Sequence, residues 1–364
     1  VAHAPWPENL IREDVILPKV LNLALASYGM SGRIFHAPFI HQHPGLKLHS
    51  ILERTASHSR ERYPDAKIVR DFASLIDNPD IDLVVVNTPN YLHYPMAHAA
   101  LEAGKHVIVE KPFTVSVDEG KALIDLANQR QLMLSVYHNR RLQSGHLTVR
   151  ELLDKGELGQ LNTFATHIDR YRPQPGPKKW KEEPNPGAGL LYDLGSHLLD
   201  EAAMLFGLPQ AVTADLRCER DQSQVCDYFH LRLDYPHHKC LLSASMLARA
   251  PGPAYVLHGD RASFVKQGAD IQESLLAAGT LPDSDNWCQE EPQYWGLLYS
   301  DEGSTAYPTI DGRYQDYYHN IYRHLTEGAP LNTLAEQALV TVGLIEIAEH
   351  SAREKRTIEL GTAP

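Results

Sequence analysis

The sequence predicts an α/β protein in two parts: a doubly wound parallel sheet, then an α+β domain built on a second, mainly antiparallel sheet. Three observations carry this. Between residues 19 and 136, short apolar runs alternate with amphipathic stretches. A glycine-bearing turn, Ser27-Tyr28-Gly29-Met30-Ser31-Gly32, follows the first apolar run directly. Beyond residue 139 the texture changes to helix, loop and a succession of alternating strands.

The apolar runs cover residues 21–26, 47–52, 68–69, 83–87, 106–110 and 132–136, rich in Val, Leu and Ile with little polar alternation. That is how strands buried on both faces of a parallel sheet read. Between them, residues 95–103 place Met96, Ala99 and Ala100 at helical spacing, with Gly104 as a stop. Residues 117–129 form a second helix with Ser116 as its N-cap. Strands alternating with helices give a doubly wound sheet. In the second part, residues 148–155 read as a helix and 161–170 as a strand, followed by a loop carrying Pro173, Pro175, Pro177, Pro184 and Pro186. Residues 190–206 read as a helix, and 211–216, 228–235, 240–248, 255–258 and 262–266 as strands. A run of strands after one helix suggests a mainly antiparallel sheet. Residues 334–352 close the periodic pattern as a long helix. The expected division is an extension over 1–18, the doubly wound domain over 19–140 and the α+β domain over 141–364.

Composition narrows the function class. The chain has 364 residues, 43% hydrophobic and 22% charged, room for two domains with substantial cores. Its net charge of −12 and the lack of a dense basic run argue against nucleic acid as a partner. No apolar stretch approaches the roughly 20 residues that span a bilayer, and residues 1–17 lack the apolar core of a secretory signal. Cys218, Cys226, Cys240 and Cys288 show no paired spacing and read as free thiols of a reducing cytoplasm. Of the 20 histidines, His36, His41 and His43 cluster and His237 adjoins His238, but no Cys or carboxylate joins them at ligand spacing, so no metal is expected.

A strand-to-helix turn with glycines lets backbone N–H groups approach a pyrophosphate. Gly29 and Gly32 hold the second and third glycine positions of that fingerprint and Ser27 the first. Such turns also occur as ordinary connections. The preceding strand and the helix-like start at Arg33 favour the nucleotide reading. Glu53, 24 residues after Gly29, stands where a residue reads the adenosine ribose. Its carboxylate would accept from ribose hydroxyls and repel a 2′-phosphate, which Arg54 would attract; NAD and NADP both stay open. Either residue also reads as a solvated strand-end charge. Thr88-Pro89-Asn90 follows a strand, at the edge where such sheets bind ligands, with His93 three residues on. The plain alternative is a turn.

Two motifs offer chemistry. Glu110-Lys111-Pro112 ends an apolar strand, so Lys111 stands at the same edge, able to stabilise a developing alkoxide. In Gly187-Ala188-Gly189-Leu190-Leu191-Tyr192-Asp193-Leu194-Gly195-Ser196-His197, Asp193 and His197 are i and i+4 on a helix and share a face. The imidazole would take an alcohol proton, with the carboxylate orienting it or contacting substrate. In isolation a strand-end lysine is usually a solvated charge and an Asp–His pair a surface ion pair. The apolar neighbours Leu190, Leu191, Leu194, Leu198 and Leu199 point instead to a lined pocket.

These motifs in this order, with Ala103-Gly104-Lys105-His106-Val107 ahead of the lysine, resemble the Gfo/Idh/MocA oxidoreductases over nearly all of residues 19–360. Phe35-His36-Ala37-Pro38-Phe39, Asn139-Arg140-Arg141, Asp169-Arg170-Tyr171-Arg172-Pro173 and Asp227-Tyr228-Phe229-His230 are similar to the scyllo-inositol dehydrogenase-like branch. The resemblance implies a Rossmann domain, a C-terminal domain with a large open sheet that forms a homodimer or homotetramer, and NAD(P)-dependent oxidation of a secondary hydroxyl on a polyol, inositol or sugar. It assigns Lys111, Asp193 and His197 to catalysis. The cofactor falls to Tyr28, Gly29, Met30, Ser31, Gly32, Glu53, Arg54, Thr88, Pro89, Asn90, His93, Glu110, Lys111 and Asn139. Substrate contact falls to Lys111, Arg140, Asp169, Tyr171, Trp180, Asp193 and His197. Three departures stand out: Ser27 replaces the first glycine, Glu53 stands where NADP-using relatives often carry serine, and Lys179-Trp180-Lys181 replaces a pattern with arginines. Two other readings share the fold, a non-catalytic nucleotide-binding regulator and a reductase of a non-carbohydrate carbonyl. The presence of all three acid–base residues disfavours both.

Overall fold

Runs of Val, Leu and Ile bury best between two layers of helix, and six of them do so here. The structure, a computed structural model, describes residues 19–282 and 287–361, so the expected extension over 1–18 lies outside the described residues. Strands β1 (Leu21–Leu25), β2 (Leu46–Leu52), β3 (Lys67–Val69), β4 (Leu83–Val86), β5 (His106–Glu110) and β6 (Leu134–Tyr137) form one sheet in the order β3-β2-β1-β4-β5-β6. All its pairings are parallel. Leu83, Val84, Val85 and Val86 are fully buried, as a central strand covered on both faces must be. Strand order reverses between β1 and β4, and the crevice at that point is where such sheets bind ligands.

Helices His93–Glu102 and Val117–Arg130 cover one face of this sheet. The second starts as expected: Ser116 Oγ accepts from Glu119 N at 3.3 Å. The other face is closed by the segment after β1 and by helix Gln315–Glu327, through Tyr317, Tyr318 and Ile321. That helix is absent from the sequence reading because its buried stripe is largely tyrosine, with no Leu/Ile/Val period to see.

The second sheet runs β14-β13-β12-β11-β7-β10-β9-β8-β15. Its strands are β7 (Leu161–Asp169), β8 (Ala211–Arg217), β9 (Tyr228–Asp234), β10 (Lys239–Ser245), β11 (Tyr255–Gly259), β12 (Ser263–Lys266), β13 (Gly296–Ser300), β14 (Gly303–Tyr307) and β15 (Ile358–Glu359). Only β7 and β10 pair in parallel; the other pairings are antiparallel. Alternate residues of β9 are buried, the mark of a sheet with one covered and one open face. β13 and β14 are missing from the sequence reading because they form an exposed edge hairpin without apolar alternation.

Helix Ala335–Glu354 joins the two halves. Ala335, Ala338 and Val342 lie in the core beneath the first sheet, while Leu344, Ile345 and Ala348 lie in the core of the second. The expected helix over 190–206 begins instead with a wider π turn, Leu191–Gly195, before the α-helix Ser196–Phe206. All four cysteines are unpaired. Among the described residues, no helix is long and apolar enough to cross a membrane.

Candidate active site

The site is assembled where β1, β4 and β5 end. Ser27 and Asn87 clasp the ends of β1 and β4. Ser27 N donates to Asn87 Oδ1 (2.9 Å), Ser27 Oγ to Asn87 O (2.9 Å) and Asn87 Nδ2 to Ser27 O (3.0 Å). Serine in the first glycine position thus becomes part of the strand clasp. The two glycines of the turn have different reasons to be glycine. A Cβ on Gly32 would collide with Ser27 O and Asn87 Nδ2, so Gly32 lets the following helix approach the strand. A Cβ on Gly29 would meet nothing nearer than Ser27 Oγ at 3.8 Å. It would instead enter the cleft, of about 560 Å³, that the turn lines. Thr88 lines the same cleft and its Oγ1 is buried without a hydrogen-bond partner. An open cradle at Gly29 and an orphaned hydroxyl at Thr88 fit a dinucleotide, with its pyrophosphate against the turn.

Glu110 ties that turn to the end of β5. Its carboxylate accepts from Ser31 Oγ (2.6 Å) and Lys111 N (3.1 Å) and meets His36 Nε2 at 3.0 Å; His36 Nδ1 in turn meets Tyr318 Oη at 2.7 Å. The helix after Gly32 begins as a π turn, Gly32–His36, and His36 is its last residue. Burial opposes ionisation of Glu110, but hydrogen bonding and charge from His36, with Ser31 and Lys111, outweigh it and bring the group down to about 2.

Lys111 reaches from β5 to the π turn Leu191–Gly195. Its Nζ donates to Asp193 O (2.6 Å) and Asp193 Oδ1 (3.3 Å). Lys181 Nζ donates to the same Oδ1 at 2.6 Å. Burial, and Lys181 beside it, lower the Lys111 ammonium from its ordinary range despite Asp193. Burial opposes ionisation of Asp193 too, and the two lysines overcome it, holding this carboxyl far below the usual range. His197 is 9% exposed and its Nδ1 has no partner. Burial first, then Lys111, Arg140, His138 and Arg170, push its ionisation well below the ordinary histidine value, which favours the neutral imidazole. Asp193 and His197 share the cleft as the i, i+4 spacing suggested, but the Asp193 carboxylate is engaged by lysines, not by the imidazole.

Gly29, Met30, Ser31, Thr88, Pro89, Asn90, Glu110, Lys111, Asn139, Arg140, Trp180, Asp193 and His197 all line this cleft, as the sequence reading placed them. Other assignments need correction. Asp169 and Tyr171 do not line the cleft. Asp169 Oδ2 accepts from Gly252 N at 3.0 Å, and Tyr171 stacks under Arg249, whose Cζ lies 3.9 Å from the ring centroid. Arg170 and Arg172 take the cleft-facing positions instead. The cause is the period of two along an extended chain, which sends alternate side chains to opposite sides. Glu53 is 6% exposed and turned into its own loop, where its carboxylate accepts from His58 N (2.9 Å), Ser59 N (3.0 Å) and Ser59 Oγ. His93 is fully buried, bridging Pro112 O (2.8 Å) and Thr88 O (3.0 Å) behind the cleft wall. The Tyr28 ring packs edge-on to Tyr63 at 6.3 Å. Asn90 lines the cleft, yet its Nδ2 is spent on Gly187 O at 2.6 Å, latching the second part to the first.

An open cradle at the glycine turn, a lysine, a carboxylate and an imidazole meet in one cleft. Residues 21–138 match the family model for the NAD-binding Rossmann fold of the oxidoreductase family, and residues 150–360 match its C-terminal alpha/beta domain. The chain belongs to the Gfo/Idh/MocA oxidoreductase family. It is 38% identical over 344 residues to scyllo-inositol 2-dehydrogenase (NADP(+)) IolW of Bacillus subtilis, covering 93% of this chain and 96% of that one. Levoglucosan dehydrogenase of Pseudarthrobacter phenanthrenivorans is 30% identical over 54% of each chain. Among solved structures, a Bacteroides fragilis protein superposes with a TM-score of 0.86 at 46% identity, over 94% of this chain and 100% of that one. The yvaA protein of Bacillus subtilis does so with a TM-score of 0.90 at 37% identity, over 94% and 99%. The Gfo/Idh/MocA fold expected from the sequence, Rossmann sheet and mainly antiparallel second sheet alike, is the one observed, and the cofactor is NAD or NADP.

Proposed function

We propose that this oxidoreductase reversibly oxidises a secondary hydroxyl of a polyol, inositol or sugar to the ketone or lactone. A bound NAD or NADP, held against the Gly29–Gly32 turn and Thr88, would supply the acceptor for the hydride of the carbinol carbon. Lys111 donates a hydrogen bond to the hydroxyl oxygen and stabilises the negative charge that develops there. His197, a neutral imidazole in the cleft wall, takes the hydroxyl proton. A weakly basic imidazole suffices, because the hydroxyl acquires the acidity of a protonated ketone as the hydride leaves. Asp193 holds the Lys111 ammonium in place through its carboxylate and its carbonyl. The observation that carries the reading is the meeting of Lys111 with Asp193 and His197 in the cleft that Gly29 opens. The names of the IolW and levoglucosan dehydrogenase relatives support a polyol or sugar as substrate. The test is a panel of inositols, aldoses and sugar acids with NAD and with NADP, read by absorbance of the reduced nicotinamide. Turnover of at least one member is expected; none with either cofactor would sink the reading.

The protein is proposed to act as a homodimer or homotetramer through the second sheet, where Tyr294 (58%), Tyr299 (43%) and Leu297 (39%) are exposed beside one another on and before β13. Sedimentation of the wild type and of Leu297→Glu checks this, with the variant shifting toward monomer.

A further inference from the structure

Seven lysines and arginines but only five carboxylates, Glu273 among them, line the cleft. The chain carries a net charge of −12, yet the substrate end of the cleft is crowded with cations. Asp193 is shared by Lys111 and Lys181, which leaves that trio with surplus positive charge. Arg140, Arg170 and Arg172 line the same cleft. Among the described residues, none of their guanidinium groups enters an ion pair or donates a hydrogen bond. Other arginines nearby are fully engaged. Arg220 pairs with Asp227 (2.9 Å) and Glu182 (2.7 Å), and Arg141 grips Asp200 with two bonds (2.8 and 2.6 Å). Burial, followed by the neighbouring Arg172 and Arg140, works against the charge on Arg170, with Asp193 and Glu273 as partial compensation.

Gathering like charges in a partly buried wall with too few counter-ions costs free energy. A site that keeps them is completed by an anion from outside. The cofactor pyrophosphate is not that anion, because its place is the Gly29–Gly32 turn at the edge of the first sheet. Lys178, whose Nζ lies 4.0 Å from Met30 Sδ, serves that end. Arg170 and Arg172 continue from β7 of the second sheet, on the side of Asp193 and His197.

We propose that the substrate is itself an anion, a sugar acid or a phosphorylated polyol. Its carboxylate or phosphate is held by Arg140, Arg170 and Arg172 while the hydroxyl to be oxidised faces Lys111 and His197. Planar guanidinium forks match both groups bidentately, and charge-assisted bonds of this kind are the strong ones. The proposal rests on the dehydrogenase reading above.

The experiment compares kcat/KM within matched sets under NAD and NADP: glucose with glucuronate and glucose 6-phosphate, and inositol with inositol monophosphate. An anionic member is expected to exceed its neutral partner by about 10- to 100-fold, and the acid and phosphate arms show which group is read. Arg172→Gln, at an exposed position, and Arg170→Gln are expected to bring that ratio close to one, mainly by raising KM for the anion. Neutral members that match or exceed the anionic ones in every set overturn the anionic substrate and leave the dehydrogenase reading standing. Arginine variants that slow anionic and neutral substrates equally overturn the assigned role of the arginines. No turnover of any member with either cofactor overturns both readings together.

Discussion

Lys111 is held at two points of Asp193 and aimed into the cleft, so its amine is placed before substrate arrives. Lys111→Ala should lower turnover by about 10²–10³, the usual cost of losing one preorganised donor. Circular dichroism and the melting curve should stay close to wild type; turnover near normal on a confirmed substrate would remove Lys111 from the chemistry. His197 makes a separate prediction through pH. Its active form is the neutral imidazole, and its ionisation lies below the ordinary histidine value of 6.5. Activity should therefore be level across neutral pH and fall only on acidification below the usual histidine range. His197→Asn should abolish that acid limb and cost about 10²–10⁴ in rate. A wild-type limb centred at or above 6.5 would contradict the role. These residues were legible because each sits in a short motif with fixed spacing. Arg170 and Arg172 were not, since the motif Asp169-Arg170-Tyr171-Arg172 names four polar side chains. Only the phase of the strand decides which two face the cleft.

At the scale of elements, the loop after β2 shows how one carboxylate can be read two ways. From spacing alone Glu53 belongs to the ribose. In the fold it caps the start of helix Ser59–Arg62 and is used up there. Burial opposes its ionisation, while hydrogen bonds from Ser59 and His58 overcome this and lower it. Glu53→Gln should therefore cost about 1–3 kcal/mol in stability, the price of poorly matched buried donors, with little change in the NADP-to-NAD ratio of kcat/KM. A shift of that ratio by more than about tenfold would return Glu53 to the ribose. Arg54, exposed just after β2, should respond differently: Arg54→Ala weakens NADP use more than NAD use. Strands of the first sheet were legible because burial on both faces leaves an unbroken apolar run. The edge hairpin β13–β14 and the tyrosine-faced helix Gln315–Glu327 were not, because neither carries an aliphatic period.

On the scale of the whole molecule, the first sheet and residues 315–342 form one unit. Tyr317, Tyr318 and Ile321 close one face of that sheet, and Ala335, Ala338 and Val342 help close the other. Order along the chain and order in space therefore disagree. A ribosome making this protein releases β1 to β6 long before the residues that roof them exist. Domains ordinarily mature in the sequence in which they emerge; here the first sheet must wait for helices far downstream. A nascent chain arrested at residue 310 should leave its first 140 residues open to protease, and release of the finished chain should protect them. Protection already complete at the arrested stage would show that the early sheet can stand without its late cover.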